Sequence, residues 1–331
     1  MVNPMMEKRV LNVAVVGAGY FGRFHALHSA KHAREALIGL YDSDNLRAQE
    51  VAREVGTTVF EDYETVLQQC DAVIIAAPAE AHYSLARQAL EAGCHVLVEK
   101  PLASTRQDGE ALVRCADDKG LVLQVGHLLR YSAEYEAINT RIKHPLYIEA
   151  TRIAPYKLRG TDVSVVLDLM IHDLDLILAL VESPILHIDA MGAAVSSTHE
   201  DIANARVQFA NGCVASITAS RISFKTERKM RLFSQEGYLS ADFTSRTLSF
   251  INRKEGLIMP GSGGFRRQSV QWRDHDNLAA EHDAFVASCL DGKPVIVDGD
   301  AGLRALDAAL RVGEDMQRAR RLLQSSGLLS H

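Results

Sequence analysis

The chain has 331 residues, which at roughly 150 per domain is enough for two domains. Its 47% hydrophobic and 24% charged residues are those of a globular protein and exclude disordered or collagen-like chains. Lys and Arg number 36 against 42 Asp and Glu, a net charge of −6, so no overall positive field favours nucleic acid or an anionic membrane.

Cys70, Cys94, Cys115, Cys213 and Cys289 are scattered, without CxxC or Cys/His zinc spacing, and their odd number argues against a closed disulfide framework. A reduced, cytoplasmic setting fits this pattern, and no metal site is expected. The first residues lead into a strand without a signal-peptide core, and no run of about 18 uncharged apolar residues occurs.

In chain order, the strand-like runs of the first part are Val10–Val16, Ala36–Tyr41, Thr57–Phe60, Ala72–Ala76, His95–Val98 and Leu121–Val125. Helical stretches separate them, near Phe21–Lys31, Asn45–Val55, Tyr63–Gln69, Ala81–Ala92 and Thr105–Lys119. Alternation at this spacing predicts right-handed βαβ units and a doubly wound parallel sheet of the Rossmann type. After about Arg130 the rhythm changes. A long apolar helix, Val163–Val181, precedes strand-like runs at His187–Val195, Ala203–Phe209, Cys213–Ile222, Lys229–Ser234, Tyr238–Phe243 and Arg246–Ile251. Turn signals at Asn211-Gly212 and Glu236-Gly237 make these runs an antiparallel meander. Gly261-Ser262-Gly263-Gly264 reads as a loop, and helices follow at Asn277–Leu290 and Ala301–Leu323, the second capped by Asp300. The expected fold is an α/β Rossmann domain over residues 1–128. It is followed by an α+β domain over 129–331 with a large, mainly antiparallel open sheet, used for substrate binding and oligomerisation.

Gly17-Ala18-Gly19-Tyr20-Phe21-Gly22 fits G-x-G-x-x-G directly after a strand and at the opening of a helix, the context that makes this pattern a dinucleotide fingerprint. Gly17 permits the tight turn, Gly19 the approach of a pyrophosphate, and Gly22 close helix packing, while the helix N-terminus offers N–H groups to the phosphates. Asp42 ends the second strand about 20 residues beyond Gly22, the place of a ribose-binding acid. Its charge favours NAD over NADP. Arg47, one helical turn on, leaves NADP possible.

Glu99-Lys100-Pro101 follows the fifth strand, on the ligand side of such a sheet. A lysine there can donate to a substrate oxygen. Asp168, His172 and Asp175 share one face of a helix otherwise rich in Val, Leu, Ile and Met, where charge is costly unless paired or functional. Asp173 lies off that face and is expected to pair locally or reach solvent. The alternative for His172 is a core histidine satisfied by Asp168.

The fingerprint, Pro78-x-x-x-His82, Glu99-Lys100-Pro101, Gly126-His127-x-x-Arg130 and Asp168-x-x-x-His172 together resemble the Gfo/Idh/MocA oxidoreductases over essentially the whole chain. The resemblance implies that Pro78 and His82 line the cofactor cleft, that Glu99 and Lys100 flank the nicotinamide, and that Lys100, Asp168 and His172 are catalytic. Met170 stands where the family often has glycine. The implied chemistry is oxidation of a secondary alcohol on a polyol or sugar. In it His172 accepts the hydroxyl proton, Asp168 orients His172, and Lys100 polarises the oxygen.

The stretch Pro155-Tyr156-Lys157-Leu158-Arg159-Gly160-Thr161-Asp162-Val163, with Asp201-Ile202-Ala203-Asn204-Ala205-Arg206 and Thr218-Ala219-Ser220-Arg221, is similar to the UDP-N-acetylglucosamine 3-dehydrogenase branch. That similarity implies oxidation of the sugar's 3-hydroxyl, a partner aminotransferase and a place in lipid A biosynthesis. Lys157, Arg159 and Arg221 are candidates for binding a diphosphate through charge-assisted hydrogen bonds, and Arg130 is a further substrate candidate. The alternatives are an inositol- or glucose-type dehydrogenase, an NAD-dependent glycosidase and a non-catalytic nicotinamide-binding module. A homodimer or homotetramer through the C-terminal sheet is expected. His25, His28 and His127 either approach the cleft or serve the structure.

Overall fold

The computed structural model describes residues 9–156, 163–253 and 265–325. Packing divides the chain into two compact units, Met1–Tyr131 with Asp276–Leu303, and Ser132–His275 with Arg304–His331.

The first unit is built on five parallel strands, β1 (Leu11–Val16), β2 (Glu35–Tyr41), β3 (Ala72–Ile75), β4 (His95–Glu99) and β5 (Leu123–Gly126), in the order β2-β1-β3-β4-β5. Helices α1 (Tyr20–Ser29), α2 (Asn45–Val55), α3 (Tyr63–Gln69), α4 (Ala79–Ala92) and α5 (Arg106–Lys119) connect them. Strand alternation sends Val13 and Val15 of β1 into one core with Ala26, Val51 and Phe285. Ala14 and Val16 enter the other core, with Leu90, Leu112 and Val113. Both faces of the sheet are therefore covered, as an all-parallel sheet requires.

Two expectations need correction here. Thr57–Phe60 is not a sixth full strand; it pairs at the β2 edge only through the isolated parallel bridge Leu40–Val59. Its threonine hydroxyls donate instead to the Leu37 and Ile38 carbonyls. A cut at residue 128 also misassigns α8 (Asn277–Asp291), which belongs to the first unit because Phe285 and Val286 are buried in the β1/β3 core.

The second unit holds an eight-stranded sheet. In chain order the strands are β6 (Pro145–Ile153), β7 (Ile185–Ala193), β8 (Ile202–Phe209), β9 (Val214–Ser220), β10 (Glu227–Ser234), β11 (Tyr238–Asp242), β12 (Thr247–Arg253) and β13 (Phe265–Gln271). The sheet order β13-β12-β11-β10-β6-β9-β8-β7 departs from a simple meander. β6 slots between β9 and β10, parallel to the first and antiparallel to the second. β6 and β13 were not among the strands expected from the sequence; Pro145 opens the first, and a glycine-rich run precedes Phe265 of the second. Helices α6 (Ala133–Arg141), α7 (Ile171–Val181) and the residues of α9 (Gly299–Ser325) from Arg304 onward complete this unit. α9 is capped by Asp298, whose carboxylate accepts the Ala301 N–H at 2.8 Å; Asp300 lies inside the helix. Gly261–Gly264 falls outside the described residues. No described helix is long and apolar enough to cross a membrane.

Candidate active site

Because the five strands run parallel, their C-terminal ends share one edge, and the turns after them carry Gly17, Asp42, Pro78, Lys100 and His127. Gly17 has φ +96°, and a Cβ there would lie 2.6 Å from the Ala76 carbonyl oxygen. A Cβ on Gly22 would lie 1.7 Å from the Gly17 oxygen, so helix and turn touch only because Gly22 has no side chain. Gly19 differs: a Cβ there would meet nothing within 4 Å. It is the N-cap of α1, and no side chain caps that helix. Open space in front of a helix N-terminus suits a pyrophosphate, so the turn fits the dinucleotide that its sequence implies. Tyr20 and Phe21 start α1, both exposed, with their rings edge-to-face at 5.5 Å.

Asp42 binds the turn to the second strand. Its carboxylate accepts the Ala18 N–H at 2.6 Å and the Asp44 N–H at 2.8 Å. Arg47 pairs with Asp44 at 3.2 Å. His82 of α4 is buried between the Ala77 and Pro101 carbonyls, at 2.9 and 2.7 Å, and joins the turns after β3 and β4. Burial, outweighing these carbonyls, lowers its pKa. Pro78 is the N-cap of α4, and the Lys100–Pro101 peptide is cis.

Glu99 is buried at the end of β4. Burial opposes its charge, but the hydrogen bond from His25, with the charges of His25, Lys100 and His82, brings its pKa below the usual carboxylate range. A Cβ on Gly126 would lie 3.1 Å from the Glu99 Cδ, so glycine leaves this carboxyl its place. Lys100 is half-buried, and its backbone N–H donates to Glu99 Oε2 at 3.3 Å. Arg130, in the 3₁₀ turn Leu128–Tyr131, donates to the Ile296 carbonyl at 3.4 Å. His28 bonds Asp276 at 3.0 Å, and His127 is buried. Sequence reading overlooked His282, Glu35 and Glu281, which are also buried in this unit. The available signal was an adjacent Glu281-His282 pair within a helix otherwise rich in alanine.

In the second unit, Asp168 lies in a π-helical turn, Val166–Met170, that leads into α7 with His172 in its first turn. The sequence reading gave an unbroken α-helix here; π turns of this kind recur at functional sites. Both side chains are half-buried, and Asp175 is buried. Asp173 is buried too, gripped by Arg152 of β6 through two hydrogen bonds of 2.8 and 2.9 Å, so it pairs across the fold and does not reach solvent.

Arg221 requires a correction. Only 4% exposed, it donates to Asp201 at 2.8 Å, to the Val163 carbonyl at 2.8 Å, to Ser197 at 3.1 Å and to the Glu200 carbonyl at 3.2 Å. Asp201 also accepts the N–H groups of Val195, Ser196 and Ser197. Burial would raise the Asp201 pKa, but these N–H groups and Arg221 lower it far below the usual range. With its donors turned to the protein, Arg221 anchors the segment before the π turn and is not a diphosphate clamp. Lys157 and Arg159 lie outside the described residues.

The pattern of the oxidoreductase family with an NAD-binding Rossmann fold matches residues 11–127, and that of the GFO/IDH/MocA C-terminal domain matches 139–240. UDP-N-acetylglucosamine 3-dehydrogenase of Acidithiobacillus ferrooxidans is 38% identical over 303 residues, covering 91% of this chain and 96% of that protein. A solved structure of UDP-N-acetylglucosamine 3-dehydrogenase from that organism superposes with a TM-score of 0.88, covering 93% of this chain and 98% of the other. The NAD(+)-dependent scyllo-inositol 2-dehydrogenase of Bacillus subtilis is 27% identical over 319 residues, covering 89% and 91%. On this agreement of sequence, fold and glycine turn, the chain belongs to the Gfo/Idh/MocA oxidoreductases, enzymes that carry NAD on their Rossmann domain.

Proposed function

We propose that this protein oxidises the 3-hydroxyl of UDP-N-acetylglucosamine with NAD. The observation that carries this reading is the 38% identity, over 91% of the chain, to a dehydrogenase of that name. Gly17, Gly19, Tyr20, Phe21, Gly22 and Asp42 hold the dinucleotide, and Pro78, His82, Glu99 and Lys100 border its nicotinamide. NAD held there would supply the hydride acceptor for the carbinol carbon. Lys100 holds and polarises the substrate oxygen, His172 accepts the hydroxyl proton, and Asp168 orients His172. Arg130, Lys157 and Arg159 are the candidates for contacting the nucleotide sugar. The 3-keto product is consumed by a cytoplasmic aminotransferase that leads toward lipid A, and the eight-stranded sheet is the dimer or tetramer surface.

The test is NADH formation from purified protein, NAD and UDP-N-acetylglucosamine, with a carbonyl trap to pull the equilibrium. Absorbance growth at the nicotinamide band supports the reading. Its absence there, with turnover of inositol, establishes instead the polyol dehydrogenase that the scyllo-inositol relative suggests. Replacement of Lys100 by Met or His172 by Ala is expected to lower kcat about 10²–10⁴-fold, the usual share of acid–base catalysis. Variants that keep wild-type turnover would remove these role assignments.

A further inference from the structure

A line of four titratable side chains runs through the interior of the first unit. Glu99 Oε1 lies 3.1 Å from His25 Nε2, His25 Nδ1 lies 3.0 Å from His282 Nε2, and His282 Nδ1 lies 2.9 Å from Glu35 Oε1. His25 is 0% and His282 1% exposed. Glu99 ends β4 and Glu35 begins β2, so in a parallel sheet the line joins the cofactor edge to the opposite edge. At the far end Glu35 accepts the Ser29 hydroxyl and lies 4.0 Å from His32 Nδ1. His32 in turn bonds Asp283 at 3.0 Å, and the Asp283 side chain is 73% exposed.

Proton counting gives this line its meaning. Three hydrogen bonds need three protons, whereas two neutral imidazoles between two carboxylates bring only two. The chain therefore holds one proton more than its neutral rings carry. With both carboxylates ionised and His282 neutral, every bond is filled when His25 is the imidazolium. It then donates from Nε2 to Glu99 and from Nδ1 to His282, while His282 Nδ1–H donates to Glu35.

We propose that Glu99, His25, His282 and Glu35 form a proton relay between the catalytic edge of the sheet and solvent at its other edge, a role that rests on the dehydrogenase reading. Alcohol oxidation removes a hydride from carbon and a proton from oxygen, and the base that receives this proton must shed it before the next turnover. His25 Nδ1–H passes to His282 Nε2, His282 Nδ1–H passes to Glu35, and Glu35 yields a proton to solvent past His32. Glu99 then takes up the proton from the active site, and the rings turn over to restore the start. One proton enters, one leaves, and no electrons move.

The surroundings agree with this assignment. Burial opposes the charge of Glu35, but the hydrogen bond and charge of His282, with Ser29 and His32, bring its pKa down. Burial lowers the pKa of His282 against the pull of Glu35, with His25 and His28 adding to the lowering. Lys100, His82 and Glu281 face Glu99, and Cys289 lies beside Glu35. Burial, with repulsion from Glu99, raises the Glu281 pKa well above the usual carboxylate range.

The proton count is read by ¹⁵N-histidine NMR of the full-length protein without cofactor at neutral pH, with His25→Gln and His282→Gln assigning the signals. Expected is one ring protonated on both nitrogens, His25, beside one protonated on Nδ1 alone; two singly protonated rings would overturn the relay. In turnover, Glu35→Gln is expected to lower kcat on the order of tenfold or more at unchanged KM for NAD, with recovery in imidazole buffer. A kcat loss that imidazole does not restore would mark the line as structural. Absence of turnover on every sugar would remove the dehydrogenase reading, and the relay's task with it. Turnover combined with a count of two protons would remove the relay alone.

Discussion

Asp42 and Arg221 show how surroundings decide what a charged side chain does. Asp42 holds two backbone N–H groups of neighbouring turns, so the acid proposed to bind the ribose also shapes the glycine turn. Asp42→Ala is expected to raise the KM for NAD about tenfold, about 1.4 kcal/mol, and to narrow discrimination against NADP; parallel titrations with the two cofactors check this. Arg221→Met strands the Asp201 carboxylate in the interior. A loss of about 3–5 kcal/mol is expected in denaturant unfolding, as for other broken buried pairs. From sequence, Arg221 was only a basic residue at a strand end. Its partners lie about 20 to 60 residues away in the chain and become neighbours only through the β8–β9 pairing.

At the scale of elements, the glycine turn, β1, β2 and the α1 start were legible because each rests on local chemistry: a φ that only glycine adopts comfortably, alternating β-branched residues, an acid after a strand. What escaped depended on partners distant in sequence. The helix-forming stretch Val163–Val181 gave no hint of a π turn, and the β6 stretch looked unremarkable until β9 and β10 flank it. The α9 start is a cleaner case, since Asp298 and Asp300 are equally plausible caps by sequence. Asp298→Ala is expected to cost about 1 kcal/mol in thermal melts and Asp300→Ala much less, because only Asp298 accepts the Ala301 N–H.

For the molecule as a whole, pH reports the buried carboxylates. Asp201, Glu35 and Glu99 have pKa values lowered by folding, so the stability they contribute is full above the ordinary carboxylate range. It is lost as pH falls through their lower folded values, and a melting temperature that drops steeply below about pH 4 is the expected signature. Glu281 works in the opposite sense. Its pKa is raised in the folded state, so its contribution is present in acid and is lost as pH rises above the carboxylate range. Its carboxyl oxygens have no hydrogen-bond partner among the described residues. Glu281→Met should therefore raise stability at neutral pH by about 1–3 kcal/mol and leave the melting temperature in acid almost unchanged.

The placement of β6 in the second unit's sheet bears on how the protein tolerates being cut. β6 supplies the hydrogen-bonding partner on one side of both β9 and β10, yet it ends 61 residues before the first begins and 74 before the second. A fragment starting after Ile153 would carry two open strand edges side by side, each a template for a foreign strand. Such a fragment is expected to precipitate on expression, whereas co-expressed residues 132–156 should rescue it by filling the gap.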